Sequence, residues 1–106
     1  MEQNKALRLI GLATRAGKIA FGTVSVTETI TNKKAKLVII AKDAAERTQR
    51  NIIRIANENN IKVRLYETIQ TLSKSIGKEN KAVISIKDGN FSNEILKIID
   101  GGEVIG

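Results

Sequence analysis

Lys36-Leu37-Val38-Ile39-Ile40-Ala41-Lys42-Asp43 is the stretch that decides the fold. Its apolar core, Leu37 to Ala41, has no polar alternation. Such a run suits a strand covered on both faces, because a half-exposed strand would place every second side chain in water. Asp43 follows at once, and a helix is expected from about Ala45 to Asn59, with Ala45, Ile52, Ile55 and Ala56 on its inner face. A strand buried on both sides requires helices on both sides, so the rest of the chain must supply them.

The flanking segments do so. Upstream, Ala6, Leu9, Ile10, Ala13 and Ala16 follow helical spacing, with Leu7 and Leu12 widening the stripe and Gly17 placed to stop the helix. A short strand is expected over Lys18–Phe21. Thr23 is read as the N-cap of a second helix through Thr31, with Val26 and Ile30 on one face. Its β-branched content demands tertiary support. Downstream, Lys62–Tyr66 alternates as a strand does. Thr68 caps a short helix carrying Ile69, Leu72 and Ile76, Gly77–Lys81 is a polar loop, and Ala82–Ile86 is another apolar strand. A last helix buries Phe91, Ile95, Ile98 and Ile99, and Gly101-Gly102 ends it. The order predicts an α/β fold, a three-layer α-β-α sandwich, as one domain over 1–106 with a loose tail over 101–106.

Composition narrows the chemistry. The chain has 106 residues, no Cys, no His and no Pro, so thiolate or imidazole metal sites, disulfides and the common nucleophile–base triads are excluded. Leu, Ile, Val and Phe supply 32 of those residues, too many for a disordered chain. No apolar run reaches the roughly 18 residues needed to span a bilayer, and the N-terminus reads as polar with no signal-peptide core, so a soluble cytoplasmic monomer without cofactor or membrane partner is expected. The formal charge is +7, and it is segregated: residues 1–87 carry 17 basic and 7 acidic side chains, whereas 88–106 carry Lys97 against four carboxylates. A basic face of this kind points to a polyanion. Phe21, Tyr66 and Phe91 are too few to stack single-stranded bases, so a structured RNA or DNA backbone fits better.

Four motifs invite chemistry. Gly11-Leu-Ala-Thr-Arg-Ala-Gly17-Lys18-Ile19 imitates a phosphate-binding loop, but it has one residue too many between the glycines and Ile19 in place of the hydroxyl. A structural role is expected instead, with Gly11 admitting a neighbouring element. Asp43 and Glu46 read as partners at one helix start, where exposed amides favour negative charge. Lys33-Lys34-Ala35-Lys36 serves equally as a solvated turn or as a phosphate contact. The junction around Gly22-Thr23 is the most informative. Arg15 and Lys18 precede a glycine-led helix start whose free amides suit phosphates or base-edge acceptors.

At Gly22-Thr-Val-Ser-Val-Thr-Glu-Thr-Ile30, Lys34-Ala-Lys-Leu-Val-Ile-Ile-Ala-Lys-Asp43 and Ser75-Ile-Gly-Lys-Glu79 the chain resembles the ribosomal-protein superfamily that binds kink-turn RNA. Gly11–Lys18 is similar to its small bacterial, YlxQ-like branch. The resemblance covers about residues 4–100. It implies an α-β-α sandwich with a small mixed sheet of about four strands and a non-enzymatic RNA-binding function. It also implies that the helix start at Gly22, Thr23, Val24 and Ser25 enters the groove at tandem G·A pairs. The loop holding Lys78, Glu79, Asn80 and Lys81 would cover a bulged nucleotide, with Lys42 and Glu46 beside it. Arg15, Lys18, Lys33 and Lys34 add cations. The partner implied is ribosomal or another kinked RNA, together with ribosomal, transcription or translation proteins.

The sequence departs from that family's Gly-Thr-Asn-Glu-x-x-Lys pattern. Val24, Ser25 and Glu28 occupy its Asn, Glu and Lys positions. Two or three lost polar contacts at about 1–3 kcal/mol each predict weakened base readout. An alternative follows: a protein-interaction or ribosome-associated module that has lost base-specific readout, with Val24 as an exposed apolar contact.

Overall fold

The strand Leu37–Ile40 is buried at all four positions, as its unbroken apolar run requires. In the computed structural model, which describes residues 4–101, the elements are α1 (Lys5–Arg15), β1 (Ile19–Phe21), α2 (Thr23–Thr31), β2 (Leu37–Ile40), α3 (Glu46–Glu58), β3 (Lys62–Leu65), α4 (Ile69–Ser75), β4 (Val83–Ile86) and α5 (Gly89–Gly101). The sheet order is β1-β4-β2-β3. β4 runs antiparallel to both β1 and β2, whereas β3 runs parallel to β2, with α3 as the crossover. The sheet is therefore mixed and four-stranded. α2 and α3 pack together over one face, and α1 packs with α4 and α5 on the other, completing the three layers.

One contiguous core links the layers, with Ile10, Ile30, Ile39, Leu72, Ile84 and Ile95 among its fully buried side chains. Each such side chain contributes about 1.5–3 kcal/mol by leaving water. α2, poor in intrinsic propensity, is held by complete burial of Val26 and Ile30. Gly11 keeps the separation between α1 and α4 small: a Cβ there would lie 3.2 Å from the Ser75 carbonyl oxygen. The structural reading of the false phosphate-loop motif is thereby accounted for.

Several expectations are corrected. Ala45 does not face inward; it is exposed, and Ala44, in the preceding turn, is buried. α1 ends at Arg15, so Ala16 falls outside its stripe, and Leu12 is 45% exposed because the inner face narrows to Ala6, Ile10 and Ala13. Thr23 is the first helical residue of α2; Gly22 is the N-cap, since its φ of 88° turns the chain into the helix. Asp43 and Glu46 do not share a helix start. The Asp43 carboxylate instead accepts from the Ile69 amide at 2.8 Å, capping α4 across the sheet end. Glu46 opens α3 and pairs with Arg50 at 3.4 Å. Thr68 does cap α4, accepting from the Thr71 amide. Residues 102–106, including Gly102 and most of the expected loose tail, lie outside the described residues.

Candidate nucleic-acid interface

The start of α2 is an uncapped helix end. Gly22 adopts φ 88° and ψ 154°, and no side chain bonds the first-turn amides. This backbone region is essentially restricted to glycine. Thr23, Val24 and Ser25 are exposed, so their N–H groups face solvent with the partial positive charge of the helix dipole behind them. Val24 is 73% exposed, an apolar side chain standing at the tip.

Two backbone bonds determine what lies beside this tip. The Gly22 amide donates to the Val83 carbonyl at 3.0 Å, and the Ala41 amide donates to the Ala82 carbonyl at 2.8 Å. The end of β1, the end of β2 and the beginning of β4 therefore share one edge of the sheet. Lys42 follows β2 there. Gln49 of α3 steadies that turn by donating to the carbonyls of Lys42 and Ala44. Glu46 opens α3 at the same end.

The loop Gly77–Lys81 is bound to this edge by a buried serine. Ser73 Oγ accepts from the Lys81 amide at 2.7 Å and donates to the Lys81 carbonyl at 3.2 Å, while the Lys78 amide donates to the Ser73 carbonyl. The loop turns through left-handed positions at Gly77 and Asn80. Its two lysines reach back over Phe21, the residue before the Gly22 cap. Lys78 Nζ lies 5.2 Å and Lys81 Nζ 5.4 Å from the ring centroid. A half-buried aromatic face thus holds two ammonium groups beside the α2 start. Asp43, Ser73, Lys78 and Asn80 line an open groove on the other side of the loop.

The structure brings Gly22, Thr23, Val24, Ser25, Lys42, Glu46, Lys78, Glu79, Asn80 and Lys81 to one end of the molecule. It does not bring Arg15, Lys18, Lys33 and Lys34 there. The Lys18 carbonyl accepts from the Lys87 amide at the opposite end of β4, and Lys33 follows the far end of α2. At 1.5 Å per residue, α2 alone separates the two groups by roughly 13 Å. The expectation of a single site is corrected on this point: residues close in sequence to Gly22 are carried away from it by a strand and a helix. Ser73 and Phe21 escaped the sequence reading. A serine inside a short helix carries no signal of a loop clamp, and a lone Phe before a glycine does not reveal that lysines about 60 residues on will lie over its ring.

A small α-β-α sandwich that presents an uncapped helix start and a lysine-bearing loop at one sheet end defines a recognisable class. The chain belongs to the ribosomal protein L7Ae/L30e/S12e/Gadd45 family, whose profile matches residues 4–96. It is 34% identical over 92 residues to the RNA-binding protein YlxQ of Bacillus subtilis, covering 87% of this chain and 92% of that one. It is 33% identical over 99 residues to the RNA-binding protein YlxQ of Enterococcus faecium, covering 93% and 95%. A solved structure from Bacillus halodurans, described as a protein with unknown function, superimposes with a TM-score of 0.89 at 33% identity over 92% of this chain and 99% of that one. The Giardia lamblia 15.5kD RNA binding protein shares the fold, with a TM-score of 0.74 at 20% identity over 92% and 83%. Among the described residues no helix is long and apolar enough to cross a membrane.

Proposed function

We propose that this chain is a non-enzymatic RNA-binding protein that grips a structured, kinked RNA at the α2 start. The observation that carries the reading is the juxtaposition of free amides at Thr23–Ser25 with the Lys78–Lys81 loop, both built around Phe21. Amides at a helix start donate to phosphate oxygens or base-edge acceptors, and the two lysines supply charge to the same backbone. YlxQ relatives are named RNA-binding proteins, which supports RNA as the partner class. Ribosomal RNA is one source of such kinks, and association with ribosomal proteins would follow from binding there.

Base readout is reduced in this reading. Val24 offers no hydrogen bond where the family pattern has Asn, so affinity rests on amides, cations and shape. Fluorescence anisotropy with a kink-turn RNA and a straight duplex of equal length and composition tests it. The kinked RNA is expected to bind at least tenfold more tightly; equal affinities overturn the kink-specific part, and no binding of either overturns the function.

The 73% exposure of Val24 favours a second reading, a protein-docking module that has lost base readout. A cellular complex that survives nuclease supports it, and one that dissolves rejects it.

A further inference from the structure

The end of the molecule opposite the α2 start carries a lysine beside or in every strand. Lys18 precedes β1, Lys87 follows β4, Lys36 precedes β2 and Lys62 opens β3. With the strand order β1-β4-β2-β3, Lys18, Lys87 and Lys36 form a row across three adjacent strands. The Lys87 amide donates to the Lys18 carbonyl and the Lys36 amide to the Ile86 carbonyl, both at 2.8 Å, so these three are cross-strand neighbours just beyond the ladders. Lys62 stands opposite Leu37, one residue further in, so its side chain leaves the sheet on the other face, toward Asp100, and it lies outside the row. At about 4.8 Å between strands, the row spans roughly 10 Å. Lys33 and Lys34 at the end of α2, and Arg15 at the end of α1, flank it.

Like charges on neighbouring strands repel, and among the described residues no side-chain ion pair offsets Lys18, Lys36 or Lys87, whereas Lys62 is attracted by the Asp100 carboxylate. The side-chain ion pairs lie elsewhere: Arg50–Glu46, Arg54–Glu58, Arg64–Asp100 and Lys97–Glu94. The carboxylates nearest in the chain are Glu28, on the preceding turn of α2, and Asp88, which is engaged by the Phe91 amide at 2.9 Å. Lys33 is also costly where it stands. It holds φ 65°, a left-handed position that Gly or Asn adopts more cheaply. A surface with three unpaired cations in adjacent registers, and a further one beside them in an unfavourable backbone position, is suited to an extended polyanion.

We infer that this lysine row is a second RNA-binding surface, which takes the phosphate backbone of a second RNA segment while the α2 start holds the first. The row itself consists of ammonium groups, so it reads charge and spacing, not sequence. The inference rests on RNA binding at the α2 start only in describing the protein as a bridge; the row has its own test.

The test immobilises kink-turn RNA, saturates it with the protein, and then adds a 20-base-pair RNA duplex. The wild-type complex is expected to capture the duplex. The variant Lys33→Asn, Lys34→Gln, Lys36→Gln is expected to lose capture by tenfold or more while still binding the kink-turn RNA. Its log-affinity for duplex should fall less steeply with log salt, by about 2–3, given roughly 0.9 per phosphate contact. Lys18→Gln with Lys87→Gln provides an independent second variant. Lys33→Asn alone should raise thermal stability and lower duplex affinity, opposite signs that a merely structural role would not produce. Wild-type complex that captures no duplex, or variants that capture it unchanged, overturn the inference and leave the α2 reading intact. Capture of poly-glutamate in place of duplex assigns the row to an acidic protein and overturns it as well. Failure of the protein to bind kink-turn RNA, with duplex binding lost in the row variants, overturns the α2 reading and the bridge but leaves the row.

Discussion

At Gly22 the backbone conformation is the feature on which the proposed RNA contact rests. A Cβ there would meet nothing within 4 Å, so any penalty of substitution is backbone strain alone. Gly22→Ala is expected to destabilise the fold by about 1–3 kcal/mol in urea denaturation, with the slope unchanged. RNA affinity should fall in parallel, because the amides of Thr23–Ser25 are re-aimed. Val24 allows the converse experiment. It is exposed, so Val24→Asn leaves the core alone and adds a side-chain donor and acceptor at the tip. That variant should bind kink-turn RNA more tightly by about 1–3 kcal/mol, measured by anisotropy titration. The importance of Gly22 was legible in the sequence, because a glycine before a Thr-led apolar pattern marks a helix start. Its role as N-cap was not, because only the φ angle distinguishes Gly22 from Thr23 as the turning residue.

At the scale of elements, one buried polar contact ties α2 to the sheet. Thr29 Oγ1 donates to the Val26 carbonyl at 2.8 Å and lies 2.9 Å from Ser85 Oγ, with Ser85 fully buried in β4. Thr29→Val leaves the Ser85 hydroxyl unpaired and should cost about 1–3 kcal/mol. Adding Ser85→Ala removes the orphan, so the double variant is expected to be more stable than the sum of the two single effects predicts, as a thermal-unfolding double-mutant cycle would measure. The elements themselves were largely legible. Apolar runs in β2 and β4 and the 3.6-residue stripes of α1, α3 and α5 follow from burial, which the pattern records. Ala45 and Asp43 were misplaced for one reason: the turn between β2 and α3 is longer than the sequence suggests, and Asp43 reaches across to α4.

Over the whole molecule, the last helix is attached to the sheet edge by an exposed ion pair. Arg64 Nε and Nη2 donate to the two Asp100 carboxylate oxygens at 2.7 and 3.0 Å. These bonds hold the Asp100 carboxyl below its ordinary value near 3.8. A carboxyl whose folded pKa is lowered contributes stability above its unfolded pKa and loses it as pH falls through the folded value. The wild-type chain should therefore melt slightly higher than Asp100→Asn at pH 6, and the difference should vanish as the pH is lowered through and below that ordinary value. Thermal melts across pH 2–7 check it. The charge map has a larger consequence at this scale, since it gives the molecule two cationic ends where the sequence suggested one.

Burial and periodicity are local and repeat along the chain, so the residue order was enough to specify the α-β-α class, the strands and the helix start at Gly22. Charge is different, because its effect depends on distance in space. Lys18, Lys36 and Lys87 are scattered over the sequence, and only strand pairing aligns them. Lys33 and Lys34 are near Gly22 in the chain, yet one helix carries them to the opposite end. Which cations share a surface was decided by register and crossover, and no count of charges along the sequence contains either.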